Sequence, residues 1–277
     1  MNFSSLTKFK IVFSLFFSLI LFPIFSEQFF WGNPEVISET NEETAFPLSI
    51  SSNQINNDAL LFYQKIENSN IFLACKSSPN GNDWGKEMIF AGPFSFSGEV
   101  PHIYSVAQDE NGQILVCATD NGKIKTFLSK DNAKSFLEFD LENEIPFIAP
   151  RVFSKTGGGF ILFATESDSE SFFLNYTLLD DFSSPHSFSK FDFSMEDAQN
   201  PFAPTFVSLK ESDILVFQAQ HIQESRLVFQ LYASTSYDGG KTWSPSEMLT
   251  HSDSSNQNPA LLYDGKQVIA VEEKKAK

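Results

Sequence analysis

The sequence is poor in basic residues, and arginine is the scarcest of them. Arg151 and Arg226 are its two arginines, and lysine and arginine together number 19 against 35 acidic residues, a formal net charge of −16. A surface of this sign repels phosphate backbones and anionic lipid headgroups. We therefore expect no nucleic-acid partner and no attraction to membrane surfaces, and the charge itself favours solubility.

Metal-binding and cofactor-binding patterns are also missing from the sequence. The four histidines, His102, His186, His221 and His251, have no metal-ligand spacing. The glycine run at 157–159 lacks the lysine and the following helix that a phosphate-binding loop needs. We expect no metal and no cofactor.

Cysteine is nearly absent. Cys75 and Cys117 each lie within an apolar run, which favours two small buried hydrophobic residues. An oxidising compartment would permit a disulfide between them, so that pairing stays open at this point. Two cysteines do not make a disulfide framework.

The N-terminus has the pattern of an export signal. Lys8 and Lys10 precede the apolar run 11–25, and Ser26 is a small residue at a suitable cleavage point. We predict a signal peptide over 1–26, an exported protein that is periplasmic, cell-surface or secreted, and no stable membrane insertion after cleavage. An uncleaved anchor is the alternative.

Four segments of the chain share one plan. A proline opens a short apolar strand, a second apolar strand follows, and a third strand ends in a polar turn closed by an aromatic residue. The prolines recur every 49 to 55 residues and the aromatics every 52 to 55. The prolines are Pro47, Pro101, Pro150, Pro204 and Pro259, and the aromatics are Trp84, Phe136, Phe188 and Trp243. Because two landmarks keep one period, we predict an all-β fold of four-stranded antiparallel blades, a β-propeller.

The fourth unit contains the clearest turn, which runs Ser236-Tyr237-Asp238-Gly239-Gly240-Lys241-Thr242-Trp243. This S-x-D-x-G-x-T-W pattern resembles the Asp-box, or BNR repeat, of the sialidase-like superfamily. The turns of the first and second units resemble degenerate copies, and the third, near Ser183 to Phe188, keeps little beyond its spacing. The residues assigned to these turns are Ser236, Asp238, Gly240, Thr242 and Trp243 in the fourth unit, Ser129, Asp131 and Phe136 in the second, and Ser77, Gly81 and Trp84 in the first.

The composition of the fourth turn follows from its structural task. An aspartate can accept hydrogen bonds from backbone N–H groups of its own turn, glycine adopts the positive φ angles of a tight turn, and the aromatic packs between strands. We therefore predict that Asp238 has a structural role in its turn and takes no part in catalysis or ligand binding. The resemblance implies the same, since these boxes lie at the periphery of that propeller, away from the substrate pocket.

The two ends of the chain indicate how the blades are completed. Residues 31–38 resemble residues 243–250, so we predict that 34–38, within an N-terminal segment 27–45, form the outer strand of a blade whose other strands lie elsewhere. The propeller is predicted over 46–277, with four complete blades and two strands of a fifth. Because the resembled propellers have six blades, we expect a fragment that is incomplete at its C-terminus. A five-bladed ring lacking one strand is the alternative.

The resemblance also allows a check for sialidase chemistry. Sialidases bind the substrate carboxylate with three arginines, whose bidentate geometry lysine reproduces poorly. This chain offers Arg151 and Arg226 as candidate ligand-binding residues, and the family's early arginine motif is absent. No catalytic residue can be assigned, and we expect that the chain is not an enzyme.

Three functional hypotheses remain at this point. The first is an exported, non-catalytic propeller that binds a glycan or a protein partner. The second is the N-terminal portion of an exo-sialidase or a related glycoside hydrolase. The third is a structural scaffold domain of a surface protein.

Overall fold

The computed structural model describes residues 43–52, 58–68, 70–95, 104–142, 146–168, 171–183, 186–223 and 226–275. The chain divides into two compact units, Met1–Val36 and Ile37–Lys277, and everything described lies in the second. The predicted signal peptide and the predicted strand at 34–38 lie outside the described residues. Within the described ranges, we find no helix of the length and apolarity needed to cross a membrane.

All regular structure in the described ranges is β-strand, arranged as five antiparallel sheets. Sheet 1 contains β1 (Glu43–Ser52), β2 (Ala59–Glu67), β3 (Asn70–Ser78) and β4 (Met88–Ser95). Sheet 2 contains β5 (Tyr104–Gln108), β6 (Ile114–Asp120), β7 (Lys123–Ser129) and β8 (Leu137–Asp140). Sheet 3 contains β9 (Phe147–Ser154), β10 (Phe160–Ser167), β11 (Phe172–Leu179) and β12 (Ser189–Lys190). Sheet 4 contains β13 (Ala198–Ser208), β14 (Asp213–Gln223), β15 (Arg226–Ser236) and β16 (Glu247–Met248), and sheet 5 contains β17 (Ser255–Tyr263) and β18 (Val268–Lys275).

Each sheet is a meander in which consecutive strands pair, so the predicted all-β plan of four-stranded antiparallel sheets is confirmed. The apolar second strand of each unit is the second strand of its sheet, and in sheets 2 and 3 it is completely buried at its centre. Strands of this kind must be covered on both faces, and neighbouring sheets provide the cover.

The sheets pack face to face in chain order because alternate side chains of each second strand point to opposite neighbours. In β6, Ile114 and Val116 join the core between sheets 1 and 2, while Leu115 and Cys117 join the core between sheets 2 and 3. In sheet 3, β10 repeats the pattern, with Phe160 and Leu162 facing sheet 2 and Ile161 and Phe163 facing sheet 4.

The first strands of neighbouring sheets lie next to one another, so that β5 contacts β9, β9 contacts β13, and β13 contacts β17. Direct hydrogen bonds join some of these neighbours, such as the backbone N–H of Val152 to Oγ of Ser105, at 3.0 Å. Serial face-to-face sheets with adjacent first strands are the architecture of a β-propeller.

The recurring prolines mark bulges in the first strands. Ladder pairing shifts at Pro47, Pro150, Pro204 and Pro259. The residue before each of the last three has a positive φ: 49° at Ala149, 50° at Ala203 and 50° at Asn258. A proline has no N–H to give to the ladder, so a bulge is where a strand tolerates it best. The fifth landmark, Pro101, lies outside the described residues.

The two cysteines are buried as free thiols on opposite sides of sheet 2. Cys75 belongs to the core between sheets 1 and 2, and Cys117 belongs to the core between sheets 2 and 3. Burial raises the pKa of the Cys75 thiol to about 12 and raises that of Cys117 as well. Cys75 and Cys117 therefore do not form a disulfide with each other, and both pack as small hydrophobic residues.

Candidate functional site

Each four-stranded sheet has a turn between its third and fourth strands, and we number these turns 1 to 4 after their sheets. In turn 4, the Asp238 carboxylate accepts hydrogen bonds from the backbone N–H of Lys241 at 3.0 Å and of Thr242 at 2.9 Å, and from the Thr242 hydroxyl at 2.6 Å. Oγ of Ser236 accepts from the N–H of Gly240 at 2.8 Å. Both side chains are engaged within the turn itself.

Turn 2 has the same bonds with different residues. Asp131 accepts from the N–H of Lys134 at 3.0 Å, from the N–H of Ser135 at 2.9 Å and from the Ser135 hydroxyl at 2.5 Å. Oγ of Ser129 accepts from the N–H of Ala133 at 2.9 Å. Ala133 takes the position of Gly240 with φ of 61°, a region that glycine enters more easily.

The closing aromatics of these turns pack between sheets. Trp243 lies against the rings of Phe163, Tyr176 and Phe191 with centroid distances of 6.0 to 6.2 Å. Phe136 stacks on Phe90 at 4.1 Å. The turns thus anchor the outer strand of one sheet to the core that it shares with the previous one.

Turn 1 corrects the register assigned from the sequence. Alignment on Trp84 predicts Ser77 at the position that Ser236 has in turn 4. In the structure, the side chains that form the hydrogen bonds of this turn are those of Ser78 and Asn80. Oδ1 of Asn80 accepts from the Ser78 hydroxyl at 3.2 Å and from the N–H of Asp83 at 2.8 Å. The Ser77 carbonyl accepts from the N–H of Gly85 instead. The turn is one residue shorter than turn 4, which moves the serine and the acceptor by one position. Gly81 still has a positive φ, of 78°.

Turn 3 keeps its acid and loses its serine. Leu179 pairs with the first residue of the second strand, as Ser129 and Ser236 do, so it occupies the serine position. Asp181, two residues later, accepts from the N–H of Ser183 at 2.9 Å and from its hydroxyl at 2.7 Å. The stretch from Asp181 to Phe188 is two residues longer than the one from Asp238 to Trp243. Turn 3 therefore departs from the repeat.

The acid sensitivity of turn 4 follows from its hydrogen bonds. The Thr242 hydroxyl, the Thr242 N–H and other donors lower the pKa of Asp238 from 3.8 to about 2. A depressed pKa stabilises the fold above the unfolded-state value, and this stabilisation is lost as the pH falls through the folded-state value. We predict that thermal unfolding of the wild type loses more stability between about pH 4 and about pH 2 than unfolding of Asp238→Asn does. Parallel losses in a differential scanning calorimetry series would show that this carboxylate is not held by its turn.

The two arginines lie on different sheets. Arg151 lies in the first strand β9 and is exposed to solvent. Protein atoms around its guanidinium nevertheless remove part of its hydration, and this desolvation lowers its pKa. Arg226 is exposed at the start of β15, beside the hairpin that joins β14 to β15. Neither arginine forms an ion pair within the described ranges.

A polar pocket of about 420 Å³ lies between sheets 2 and 3, where turn 3 departs from the repeat. We call it the 2–3 pocket. One wall is the Asn111 and Gln113 side of the turn between β5 and β6, and another is the glycine turn 157–159 between β9 and β10. The remaining lining residues are Lys130, Asp180, Asp181 and Phe182.

An aromatic ring and a cation lie together in the 2–3 pocket. Phe182 is held by the rings of Phe139 at 5.2 Å and Phe160 at 6.2 Å, and it is only partly buried. Nζ of Lys130 lies 5.8 Å from the Phe182 centroid. Nζ of Lys155 is 2.9 Å from Asp180, which neutralises that carboxylate. The pocket thus combines an aromatic side chain with amides, a carboxylate and an ammonium group that can exchange hydrogen bonds with a ligand.

The 2–3 pocket was not predicted from the sequence. The glycine run was recognised only as a turn, and Asp181 and Phe182 fell in the unit that kept little of the repeat.

Comparison with known proteins supports the fold and no more. No family model matches the chain, and no curated protein sequence matches it. Among solved structures, an ulvan lyase of polysaccharide lyase family 25 bound to -[GlcA(1-4)Rha3S]- is similar, with a TM-score of 0.55, 12% identity, and coverage of 79% of this chain and 63% of that one. An endo-arabinase from Bacteroides thetaiotaomicron has a TM-score of 0.48 and 11% identity over 84% of this chain and 89% of its own. An endo-arabinanase of glycoside hydrolase family 43 from Bacillus licheniformis has a TM-score of 0.42 and 16% identity over 67% and 72%.

Proposed function

We propose that this chain is an exported, sialidase-like β-propeller module that binds a glycan in the 2–3 pocket without catalysing a reaction on it. The observation that carries the proposal is the ring of Phe182 beside polar groups in a pocket of about 420 Å³. A pyranose ring has an apolar face that suits an aromatic ring, and it has hydroxyl groups that both donate and accept hydrogen bonds. Pockets of this volume suit small ligands.

The charges of the 2–3 pocket favour a ligand without a large net charge. Asp180 is paired with Lys155, and Asp181 is bonded to Ser183 within its own turn. Lys130 provides one cation against the Asp181 carboxylate at the same opening. A neutral glycan therefore meets no uncompensated cluster of charges of one sign.

The scarcity of arginine supports the non-catalytic part of the proposal. Sialidases bind the substrate carboxylate with three arginines, and this sequence has two, Arg151 and Arg226. The hydrogen bonds of turns 2 and 4 support the sialidase-like part, because the side chains that define the resemblance are engaged as turn residues. The ulvan lyase, whose fold is similar and whose printed ligand is a glycan, makes glycans the first class of ligands to test.

The test is a glycan array followed by titration calorimetry on the strongest ligand. We expect Phe182→Ala to weaken binding about tenfold or more, because the ring loses its contact with the sugar. The matched control is Tyr237→Ala, which removes an exposed aromatic from turn 4, outside the pocket, and should leave affinity unchanged. Because Phe182 also packs on Phe139, Lys130→Gln serves as a second pocket variant that leaves this packing intact.

Two results would overturn the proposal. The first is a glycan whose affinity is unchanged in both Phe182→Ala and Lys130→Gln, which would place the binding site elsewhere. The second is turnover of a fluorogenic sialoside that disappears in Arg151→Ala, which would favour the hydrolase hypothesis. An array that shows no bound glycan, with a protein retained in a pull-down, would favour a protein partner, and silence in both experiments would favour the scaffold hypothesis.

A further inference from the structure

The walls of the 2–3 pocket belong to different sheets, and one short segment of sheet 2 joins them. Asp109 begins the turn between β5 and β6, and its side chain is only 6% exposed. Its Oδ1 accepts from the N–H of Asn111 at 3.0 Å and of Gln113 at 2.8 Å, which shapes its own turn. Its Oδ2 accepts from the N–H of Gly159 at 3.1 Å. Gly159 lies in the turn between β9 and β10 of sheet 3.

The next residue makes a second bond across the same gap. Oε2 of Glu110 accepts from the N–H of Gly157 at 3.2 Å. Two consecutive carboxylates of sheet 2 therefore hold two N–H groups of the glycine turn, and we call these four residues the carboxylate clasp. A carboxylate is an effective partner here because it accepts several hydrogen bonds at once and donates none.

The glycine turn is also held from its other side. Thr156 donates its N–H to Oγ of Ser208 and its hydroxyl to the Ser208 carbonyl, both at 2.9 Å, and Ser208 lies at the end of β13 in sheet 4. A five-residue turn is thus fixed between two neighbouring sheets. Its backbone cannot shift toward or away from Asn111 without breaking bonds on one side.

We infer that Asp109 is the positioning residue of the 2–3 pocket, and this inference rests on the proposed glycan site. Three of the residues that line the pocket, Asn111, Gln113 and Gly159, are direct partners of its carboxylate. Asp109 does not itself line the pocket. It acts on the ligand by fixing the distance between the amide wall and the glycine wall.

The two oxygens of Asp109 allow the inference to be tested with an isosteric change. In Asp109→Asn the remaining oxygen can still accept from the N–H groups of Asn111 and Gln113. The new amide group cannot accept from the N–H of Gly159 or from the Asn111 side chain, whose Nδ2 lies 3.5 Å from Oδ2 in the wild type. We expect faster amide hydrogen exchange at Gly157 and Gly159, by about tenfold, and a glycan affinity lowered about fivefold. Exchange in the 109–113 turn should change little. Asp109→Ala should speed exchange in both turns.

The matched control is Asp264→Ala. Asp264 occupies the same place in the turn of sheet 5 and accepts from the N–H of Lys266 and Gln267, but it bonds to no other sheet within the described ranges. Its removal should leave exchange at 157–159 and glycan affinity unchanged.

Exchange tests the carboxylate clasp whether or not a glycan has been found, and glycan affinity then tests the positioning role. If Gly157 and Gly159 exchange at the wild-type rate in Asp109→Asn, the carboxylate clasp does not hold the glycine turn and the inference is wrong. If exchange accelerates and glycan affinity stays the same, Asp109 is structural only, and its positioning role is equally refuted. Failure of the proposed function shows instead as an absent glycan with accelerated exchange.

Discussion

Replacing Phe163 by alanine is expected to lower the free energy of unfolding by about 3–5 kcal/mol. Phe163 is completely buried in β10, at the centre of the core between sheets 3 and 4. Its ring lies 6.1 to 6.2 Å from those of Tyr176, Phe206 and Trp243. Removing it leaves a cavity that the neighbouring rings, held on β11, β13 and turn 4, cannot fill.

Urea unfolding measured by fluorescence and by far-UV circular dichroism provides the test. The control is Leu227→Ala, in which an apolar side chain with 55% exposure is removed from the start of β15, and its expected cost is below about 0.5 kcal/mol. The difference should appear in the transition midpoint with an unchanged slope. A Phe163→Ala protein as stable as the control would mean that sheets 3 and 4 are not joined through this core.

The second large effect is expected at Gly159. Its φ is 80°, and a Cβ there would lie 2.8 Å from Oδ1 of Asp180 and 3.2 Å from the Leu179 carbonyl oxygen. We predict that Gly159→Ala costs about 2–3 kcal/mol, because backbone strain in the left-handed region adds to steric overlap with a neighbouring strand end. The N–H of Gly159 also donates to Asp109, so the variant should disturb the 2–3 pocket as well.

Gly157→Ala separates the two causes. Gly157 has a similar φ of 86°, but a Cβ there meets nothing within 4 Å. The Gly157→Ala substitution should therefore lower the free energy of unfolding only by the backbone strain, about 1 kcal/mol. Chemical unfolding of the two variants in parallel measures the difference, and equal costs would show that Asp180 and Leu179 do not crowd the glycine turn.

The architecture could be predicted from the sequence because it depends on local and periodic signals. The continuous apolar runs in strands such as β6 and β10 indicate burial on both faces, and the constant spacing of prolines and aromatics indicates the repeat. The spacing of the prolines did not predict their structural role. Pro150, Pro204 and Pro259 each follow a residue with a positive φ at a β-bulge. That conformation depends on pairing with the second strand and is not visible in one segment.

The register of turn 1 could not be predicted from spacing, because a turn one residue shorter aligns its tryptophan correctly and its serine wrongly. Asn80 also replaces the acid there, and an amide oxygen accepts the same backbone N–H groups as a carboxylate. The 2–3 pocket was beyond prediction for another reason. Asp109 and Gly159 are 50 residues apart and meet only because successive sheets stack in register.

Hydrogen exchange with and without a saturating glycan tests the central claim most directly, because it reports where the ligand contacts the protein. The account predicts added protection in residues 157–159 and 180–182, which line the 2–3 pocket, and no change in residues 147–151 of the first strand β9. Protection confined to residues 147–151, around Arg151, would contradict it and place the ligand beside the first strands of the propeller.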